Sequence, residues 1–356
     1  MTDLLYSEVE EELRASVRSL LADRAGFETV LARIETAEPV DLKLWRALAV
    51  DLGVAGLPVP EADGGAGASW RETAVVMEEL GRSVAPVPFL GHSVLAVAAL
   101  SGTGDPLLDA VAAGSRTVTL AVPLSSRGAQ PWTVTADGDR LDGTVTSVVD
   151  AGVAEVLLVP TAAGLYAVDA THAGRVPVVS FDLTRPLTDV TLRTVRGRLV
   201  SADATAAVDR ALLAGAALLA SEQLGVAEWC LTTTVDYVKT RRQFARQVGS
   251  YQAIKHRLAD LWVSVTQARA VARYAADCLA TGDADLPVAA ALAQAFCSPV
   301  AVKAAEECVQ LHGGIGFTWE HPAHLYLKRA RSNAASLGSA SAHRAALAEL
   351  VALPAG

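Results

Sequence analysis

The chain is short of the features that mark several protein classes. Its 356 residues include four cysteines, and Cys230, Cys278, Cys297 and Cys308 show no CxxC spacing. All four fall in helical patterns, as packed thiols in a reducing compartment do, and not in a disulfide framework or a zinc ribbon. Positive charge is scarce as well. Thirty Lys and Arg stand against 39 Asp and Glu, a net charge of −9, which provides no basic face for nucleic acid or an anionic membrane. No uninterrupted apolar run reaches the roughly 18 residues of a membrane span. The opening MTDLLYSEVEEELR is acidic where a secretory leader is basic, so the expected location is the cytoplasm. Metal ligands are thin: His321 and His324 are spaced as a pair, but Pro322 lies between them and no carboxylate stands at ligand spacing.

What is present is apolar material, 51% hydrophobic against 19% charged residues, the balance of a globular chain. Its length exceeds what one hydrophobic core normally serves, so two or three domains are expected. Residues 1–115 read as helical. Leu13, Val17, Leu20 and Leu21 make one stripe over Tyr6–Arg24. A second helix runs over Leu42–Leu52 and stops at Gly53, and a third over Trp70–Arg82 follows Ser69, with Glu72 placed to complete a capping box. After Pro86 and Pro88 comes another apolar helix, Ser93–Leu100.

Residues 116–200 change character. TVTLAV, WTVTA, AEVLLVPT, LYAVDA, VPVVSFD and DVTLRTV are short, rich in β-branched residues and separated by Gly, Asp or Pro, the spacing of a small antiparallel barrel or sandwich. Residues 201–356 are helical again, with long segments at Ala202–Val238, Ser250–Thr281, Pro287–Leu311 and Ala334–Val351, enough for a four-helix bundle. The expected fold class is therefore α+β and multidomain: an N-terminal helical domain, a middle antiparallel β-barrel-like domain and a C-terminal four-helix bundle.

One stretch resists that plain description. VQLHGGIGFT, residues 309–318, puts three glycines in four positions after an alanine-rich helix, where each costs about 1 kcal/mol in helix propensity relative to alanine. Either a helix ends here on a glycine cap, or a ligand approaches bare backbone.

The neighbouring motifs favour the second choice. DYVKTRRQFARQVGSYQAIKHRLADLW (236–262) and VQLHGGIGFTWEHPAHLYLKRA (309–330), with GLPVPEADGGAGAS and MEELGRSVAP in the first domain, closely resemble the acyl-CoA dehydrogenases across essentially the whole chain. The resemblance implies oxidation of the Cα–Cβ bond of an acyl-CoA thioester, with a glutamate taking the α-proton and FAD accepting the β-hydride. It also implies an FAD site shared between subunits, the flavin ring held by one and the pyrophosphate and adenine wrapped by the last domain of another. Arg241 matches the family's pyrophosphate-pairing arginine, Phe244 its aromatic at the adenosine end, and Gln252 a nearby polar contact. Gln310, Gly313 and Gly314 match its glutamine and diglycine. A guanidinium fork suits phosphate oxygens. Taken singly, Arg241 reads as a solvated helix charge and the two glycines as a cap; within RRQF, with QLHGG downstream, the cofactor reading is preferred.

The other half of the site departs from the family. The first strand runs into PLSSRGAQ (123–130) where catalytic members have Thr-Glu-Pro-x-Ala-Gly-Ser-Asp; only the proline and small polar residues such as Ser125 and Ser126 remain. In the next flavin motif, which opens here at Gly143, Ser147 takes the place of a tryptophan and Val149 that of a threonine, so the aromatic wall and a hydroxyl for the flavin are lost. From Gln310 the motif continues through Lys328, Arg329 and Ala330 to Ser336, Leu337, Gly338 and Ser339, with leucine at the Tyr-Glu-Gly-Thr glutamate. The alternative position for the base, on the helix before RRQF, holds Gly215, followed by Ala216 where relatives have arginine. Glu222, two turns on and on roughly the same face, is the one weak candidate substitute, with a helix-surface or interface charge as its plain reading.

Three readings follow. In the first, the chain is a non-catalytic subunit of a hetero-oligomer, a heterotetramer of the actinobacterial type. It donates its half of the FAD site to a catalytic acyl-CoA dehydrogenase subunit, in fatty-acid or steroid side-chain catabolism, with electron-transfer flavoprotein as acceptor. The second is a self-sufficient homo-oligomeric dehydrogenase with an atypical base such as Glu222. The third is a non-enzymatic acyl-CoA-binding or scaffold protein on the same fold.

Overall fold

The computed structural model describes residues 4–128 and 131–353. The last two residues of the PLSSRGAQ segment, Ala129 and Gln130, lie outside the described residues. Helices α1 (Glu8–Arg24), α2 (Phe27–Ile34), α3 (Leu42–Arg46), α4 (Trp70–Ser83), α5 (Val97–Leu100) and α6 (Leu107–Ala112) come first. Two starts are written in the sequence: Ser7 with Glu10, and Ser69 with Glu72, both form capping boxes. The helix expected over Leu42–Leu52 begins as α3 and continues as a π-type turn, Ala47–Asp51, and the Ser93–Leu100 helix starts as a π-type turn at Leu90–Ala96 before α5. Each widened turn occurs within a run of buried small and branched apolar residues, where packing outweighs helix regularity.

The middle of the chain forms two four-stranded sheets. One has the order β1 (Val118–Leu120), β4 (Val156–Thr161), β5 (Gly164–Asp169), β8 (Arg198–Ser201). The other has the order β2 (Val134–Asp137), β3 (Arg140–Val149), β7 (Leu187–Arg196), β6 (Gly174–Val178). Buried Val134, Leu141 and Val190 of the second sheet and Leu157, Val159 and Tyr166 of the first share one core cluster, so the sheets stack as a sandwich. Several details differ from the expectation, beginning with β3 and β8, which have no counterpart among the expected strand segments. β1 pairs with β4 in parallel, and the VPVVSFD segment is strand only to Val178, with Asp182 turned inward to other work.

Helix α7 (Ala204–Thr240) follows, then a two-stranded hairpin of β9 (Arg242–Gln243) and β10 (Arg246–Gln247), then α8 (Gln252–Thr281), α9 (Leu286–His312), α10 (Ala323–Ala335) and α11 (Ala340–Leu350). α7 lies at the centre, against α4, α8 and α9. Its crossing with α4 is close because glycines face backbone: a Cβ on Gly225 would stand 1.9 Å from the Glu78 carbonyl oxygen, and one on Gly81 2.1 Å from that of Glu222. The segment expected as one helix over Ala334–Val351 is two, broken at Ser336–Ser339, where Leu337 (φ 54°) and Gly338 (φ 94°) leave the helical region. Screened by length and composition, Ala204–Thr240 and Leu286–Phe317 are apolar enough to cross a membrane, but 72% and 56% of their most apolar windows are buried inside the fold, as interior bundle helices are.

Candidate functional site

The residues singled out by the RRQF and QLHGG motifs converge on one end of the bundle. Arg241 caps the C-terminus of α7, Phe244 sits at the tip of the β9–β10 hairpin, Gln252 opens α8, and Gln310 lies in the last turn of α9, with Gly313 capping it. The two helix ends are tied to each other one turn back. Tyr237 on α7 donates from its hydroxyl to the His312 carbonyl at 3.3 Å and stacks on the His312 ring with centroids 4.3 Å apart.

The local chemistry exposes these groups. The backbone of Arg241 is pinned on both sides, its N–H donating to Tyr237 at 2.9 Å and its carbonyl accepting from Val248 at 2.8 Å. Its side chain is exposed, and among the described residues no carboxylate pairs with it. The hairpin turns on Phe244 (φ 51°) and Ala245 (φ 62°), the positive-φ pair of a tight two-residue turn but made without glycine, at a cost on the order of 1 kcal/mol for each residue. That turn holds the Phe244 ring 89% exposed. Arg246 braces it, its guanidinium 4.1 Å from the Tyr251 ring centroid and bonded to Ser250 Oγ at 2.7 Å.

The three glycines of HGGIG have three different reasons. Gly313 has φ +64° and ψ −136°, a backbone closed to side chains. A Cβ on Gly316 would stand 2.5 Å from the Val309 carbonyl oxygen, so packing demands that glycine. Gly314 has neither constraint: a Cβ there meets nothing within 4 Å. Within this chain Gly314 has no cause, which points to something that approaches from outside. An exposed guanidinium, an aromatic ring and open backbone side by side suit an anionic dinucleotide.

In the other half-site the place expected for the base is closed by protein. Gly215 and Leu337, the two alternative positions of the base, meet in space: a Cβ on Gly215 would stand 2.9 Å from Leu337 Cδ1 and 2.8 Å from Leu95 Cδ2. Leu337 is 1% exposed. Leu124, in the segment after β1, clasps both sides of the gap, its N–H donating to the Ser147 carbonyl at 3.1 Å and its carbonyl accepting from the Leu337 N–H at 2.7 Å. Ser147 has φ 54° and sits in a β-bulge of β3, where Asp189 Oδ1 takes its N–H at 2.8 Å. Val149 is buried, its carbonyl accepting from Thr119 Oγ1 at 2.9 Å. These residues do not fit a flavin ring, since Ser147 stands where an aromatic wall would be needed, Val149 where a hydroxyl would be, and the Leu124 N–H and carbonyl are already taken by Ser147 and Leu337.

Glu222 lies in a cage, not at a surface. Arg185 bonds Glu222 Oε2; Arg329 Nη1 and Asn333 Nδ2 reach Oε1 at 3.0 and 2.9 Å. Arg329 also binds Asp182 at 2.6 Å and the Thr184 hydroxyl at 2.6 Å, and Arg185 binds Asn333 Oδ1 at 2.7 Å. Burial alone would raise the Glu222 carboxyl, but the guanidiniums of Arg185 and Arg329 outweigh it and hold the group down to about 2. A carboxylate so held is a poor proton acceptor, and its place is structural, joining the β6–β7 connection to α7 and α10.

Residues 203–352 match the family model described as the C-terminal domain of acyl-CoA dehydrogenase, and residues 7–108 match its N-terminal domain. The chain is similar to acyl-CoA dehydrogenase IpdE2 of Mycolicibacterium smegmatis, 37% identical over 93% of this chain and 95% of that protein. Among solved structures, a chain of the ChsE4-ChsE5 complex from Mycobacterium tuberculosis aligns at TM-score 0.89 and 26% identity over 100% of both chains. A chain of the structure described as the Tcur3481-Tcur3483 steroid ACAD G363A variant aligns at TM-score 0.86 and 32% identity over 97% of this chain and 98% of that one.

Proposed function

The chain belongs to the acyl-CoA dehydrogenase family, and within it we propose that this chain is a non-catalytic subunit that completes, in trans, the FAD site of a catalytic sister subunit. The observation that carries this reading is the contrast between its half-sites. Exposed Arg241, Phe244, Gln252 and Gln310 surround Gly313 and Gly314 at the bundle end, while Leu337 and the Leu124 clasp close the half that would hold the ring and the base. Loss of function by drift would not sort residues in this way.

In the complex, Arg241 pairs with the pyrophosphate, Phe244 covers the adenosine end, and Gly313 with Gly314 clears the approach. FAD, when bound, supplies the hydride acceptor for α,β-desaturation. The sister subunit supplies the glutamate and the hydrogen bonds to the ring. A heterotetramer is the assembly this division of labour calls for, and a relative whose structure is described as a ChsE4-ChsE5 complex supports it. The word steroid in the description of the Tcur3481-Tcur3483 structure supports a CoA thioester of a steroid side chain as substrate class. Electron-transfer flavoprotein is the proposed acceptor. Four free, buried cysteines suit the cytoplasm.

Flavin absorbance tests the reading. The chain purified alone is expected to carry little flavin, and the chain purified with its catalytic partner is expected to be yellow and active. Arg241→Ala or Gly314→Val lowers the FAD content of the complex. Stoichiometric FAD with turnover in the lone chain would overturn the proposal.

A further inference from the structure

A separate cavity of about 330 Å³ lies where α1, α2 and the end of α4 meet α7 and α10, within the roughly 300–1,000 Å³ range of small-ligand pockets. It shares no residue with either half of the flavin site. Its walls are apolar and aromatic: Leu21 of α1, Phe27 of α2, Leu325 of α10, and a stack of Trp229 on Tyr326 with centroids 3.5 Å apart and planes 2° from parallel.

Three charged side chains line it, Arg18, Glu79 and Arg82. Arg18 and Glu79 cancel each other, with Nε and Nη2 at 2.8 and 2.6 Å from the carboxylate. Arg82 has no such match. Among the described residues it meets one carboxylate, and loosely: its Nη1 stands 4.0 Å from Glu228 Oε2, while Arg269 takes the other oxygen, Oε1, at 2.9 and 2.5 Å. The Arg82 carbonyl accepts from the Tyr326 hydroxyl at 2.6 Å, which fixes its backbone beside the ring stack. The lining thus carries a net positive charge in a chain of net charge −9, centred on a guanidinium that is 29% exposed.

We propose that this cavity binds an amphipathic carboxylate, its apolar body against Phe27, Leu21 and the Trp229–Tyr326 stack and its carboxylate on Arg82. A guanidinium offers a carboxylate paired donors at fixed charge. A cationic amphiphile would be repelled by Arg82, and a neutral one would leave Arg82 with the loose Glu228 contact alone. The occupant spans the seam between the N-terminal helices and the bundle, so it stabilises the chain by mass action.

The test uses octanoate, 1-octanol and octylamine, titrated into the full-length chain by calorimetry with thermal unfolding in parallel. Octanoate is expected to saturate one site and raise the unfolding midpoint, while octylamine binds far more weakly. Arg82→Gln is expected to weaken octanoate by roughly 10- to 100-fold, the worth of a hydrogen bond to a charged group. Ala22→Trp, at an exposed position of the cavity rim, is expected to abolish binding with an unchanged unfolding midpoint of the free chain. No saturable octanoate binding, equal affinity for octylamine, or undiminished affinity in both variants would overturn the proposal.

Discussion

Leu337 Cδ1 lies 2.9 Å from where a Cβ on Gly215 would stand. Two positions far apart in sequence, each a possible seat for a base, are thus one place in the fold, and a single leucine fills it for both. Putting a carboxylate back at that place alone is not expected to restore catalysis. Leu337→Glu in the lone chain should form no enoyl-CoA above background with an artificial electron acceptor, because on the proposed function Ser147 and Val149 offer a flavin ring neither the aromatic wall nor the hydroxyl it needs. The substitution buries a carboxylate at a position 1% exposed, so denaturant unfolding should show a loss of more than about 3 kcal/mol.

The glycines of HGGIG should separate by their causes. Gly314→Ala enters open space and leaves the stability of the chain within about 0.5 kcal/mol. Gly316→Ala drives a methyl against the Val309 carbonyl and costs about 1–3 kcal/mol. Thermal unfolding of the two variants, side by side, checks the contrast. Flavin content of the complex checks the rest, falling for Gly314→Val without a matching loss of fold.

Among the described residues no carboxylate pairs with the Arg241 guanidinium, so Arg241→Ala should leave unfolding of the lone chain unchanged within about 0.5 kcal/mol. FAD affinity of the complex should fall by roughly 10- to 100-fold. Added salt should weaken FAD binding more in the parent complex than in the variant, because screening acts on the charge that the variant lacks. Fluorescence titration at two ionic strengths measures both effects.

Phe244 pays for its exposure in backbone strain. Phe244→Gly relieves the positive φ, and the lone chain should be equally stable or more stable by about 1 kcal/mol. The complex made with that variant should still bind less FAD. A substitution that improves the subunit and impairs the assembly would mark Phe244 as a residue kept for a partner's ligand.

Glu222 gives a pH signature. Its folded carboxyl titrates at about 2 against an ordinary 4.5, so the stabilisation it provides is complete above pH 4.5 and is lost as pH falls toward 2. The difference is worth on the order of 3 kcal/mol. Glu222→Gln removes the charge that Arg185 and Arg329 share and should destabilise the chain by about 3–5 kcal/mol at neutral pH. The variant's stability should also be flatter between pH 5 and 2 than the parent's, which acid titration with circular dichroism will show.

How much of this was readable beforehand depends on how local the cause is. Ser69 and Glu72 announce α4 because a capping box is a contact between residues three apart. The break in the last helix carries a local mark, Gly338 followed by the capping Ser339, but the turn itself is set at a distance, where the Leu337 N–H reaches Leu124 in the segment after β1. β8 is not among the expected strands for a similar reason: a four-residue strand with exposed Leu199 is defined by pairing with β5, not by its own pattern. RRQF and QLHGG stand out in the sequence by their residue types, and the fold brings them to one end of the bundle. The surroundings of Glu222 do not stand out, since Arg185 and Arg329 arrive from separate segments, and spacing on α7 says nothing of their charge.

The bundle end has a last consequence, for the lone molecule. Phe244, Phe317 and Trp319 are 89%, 82% and 55% exposed there, a concentration of aromatic surface that soluble monomers avoid. A copy made in excess of its partner would hold that surface in water, where self-association and quality-control proteases act on it. On the proposed assembly, the amounts of the two subunits in the cell would then be balanced after synthesis, by removal of the unpaired one.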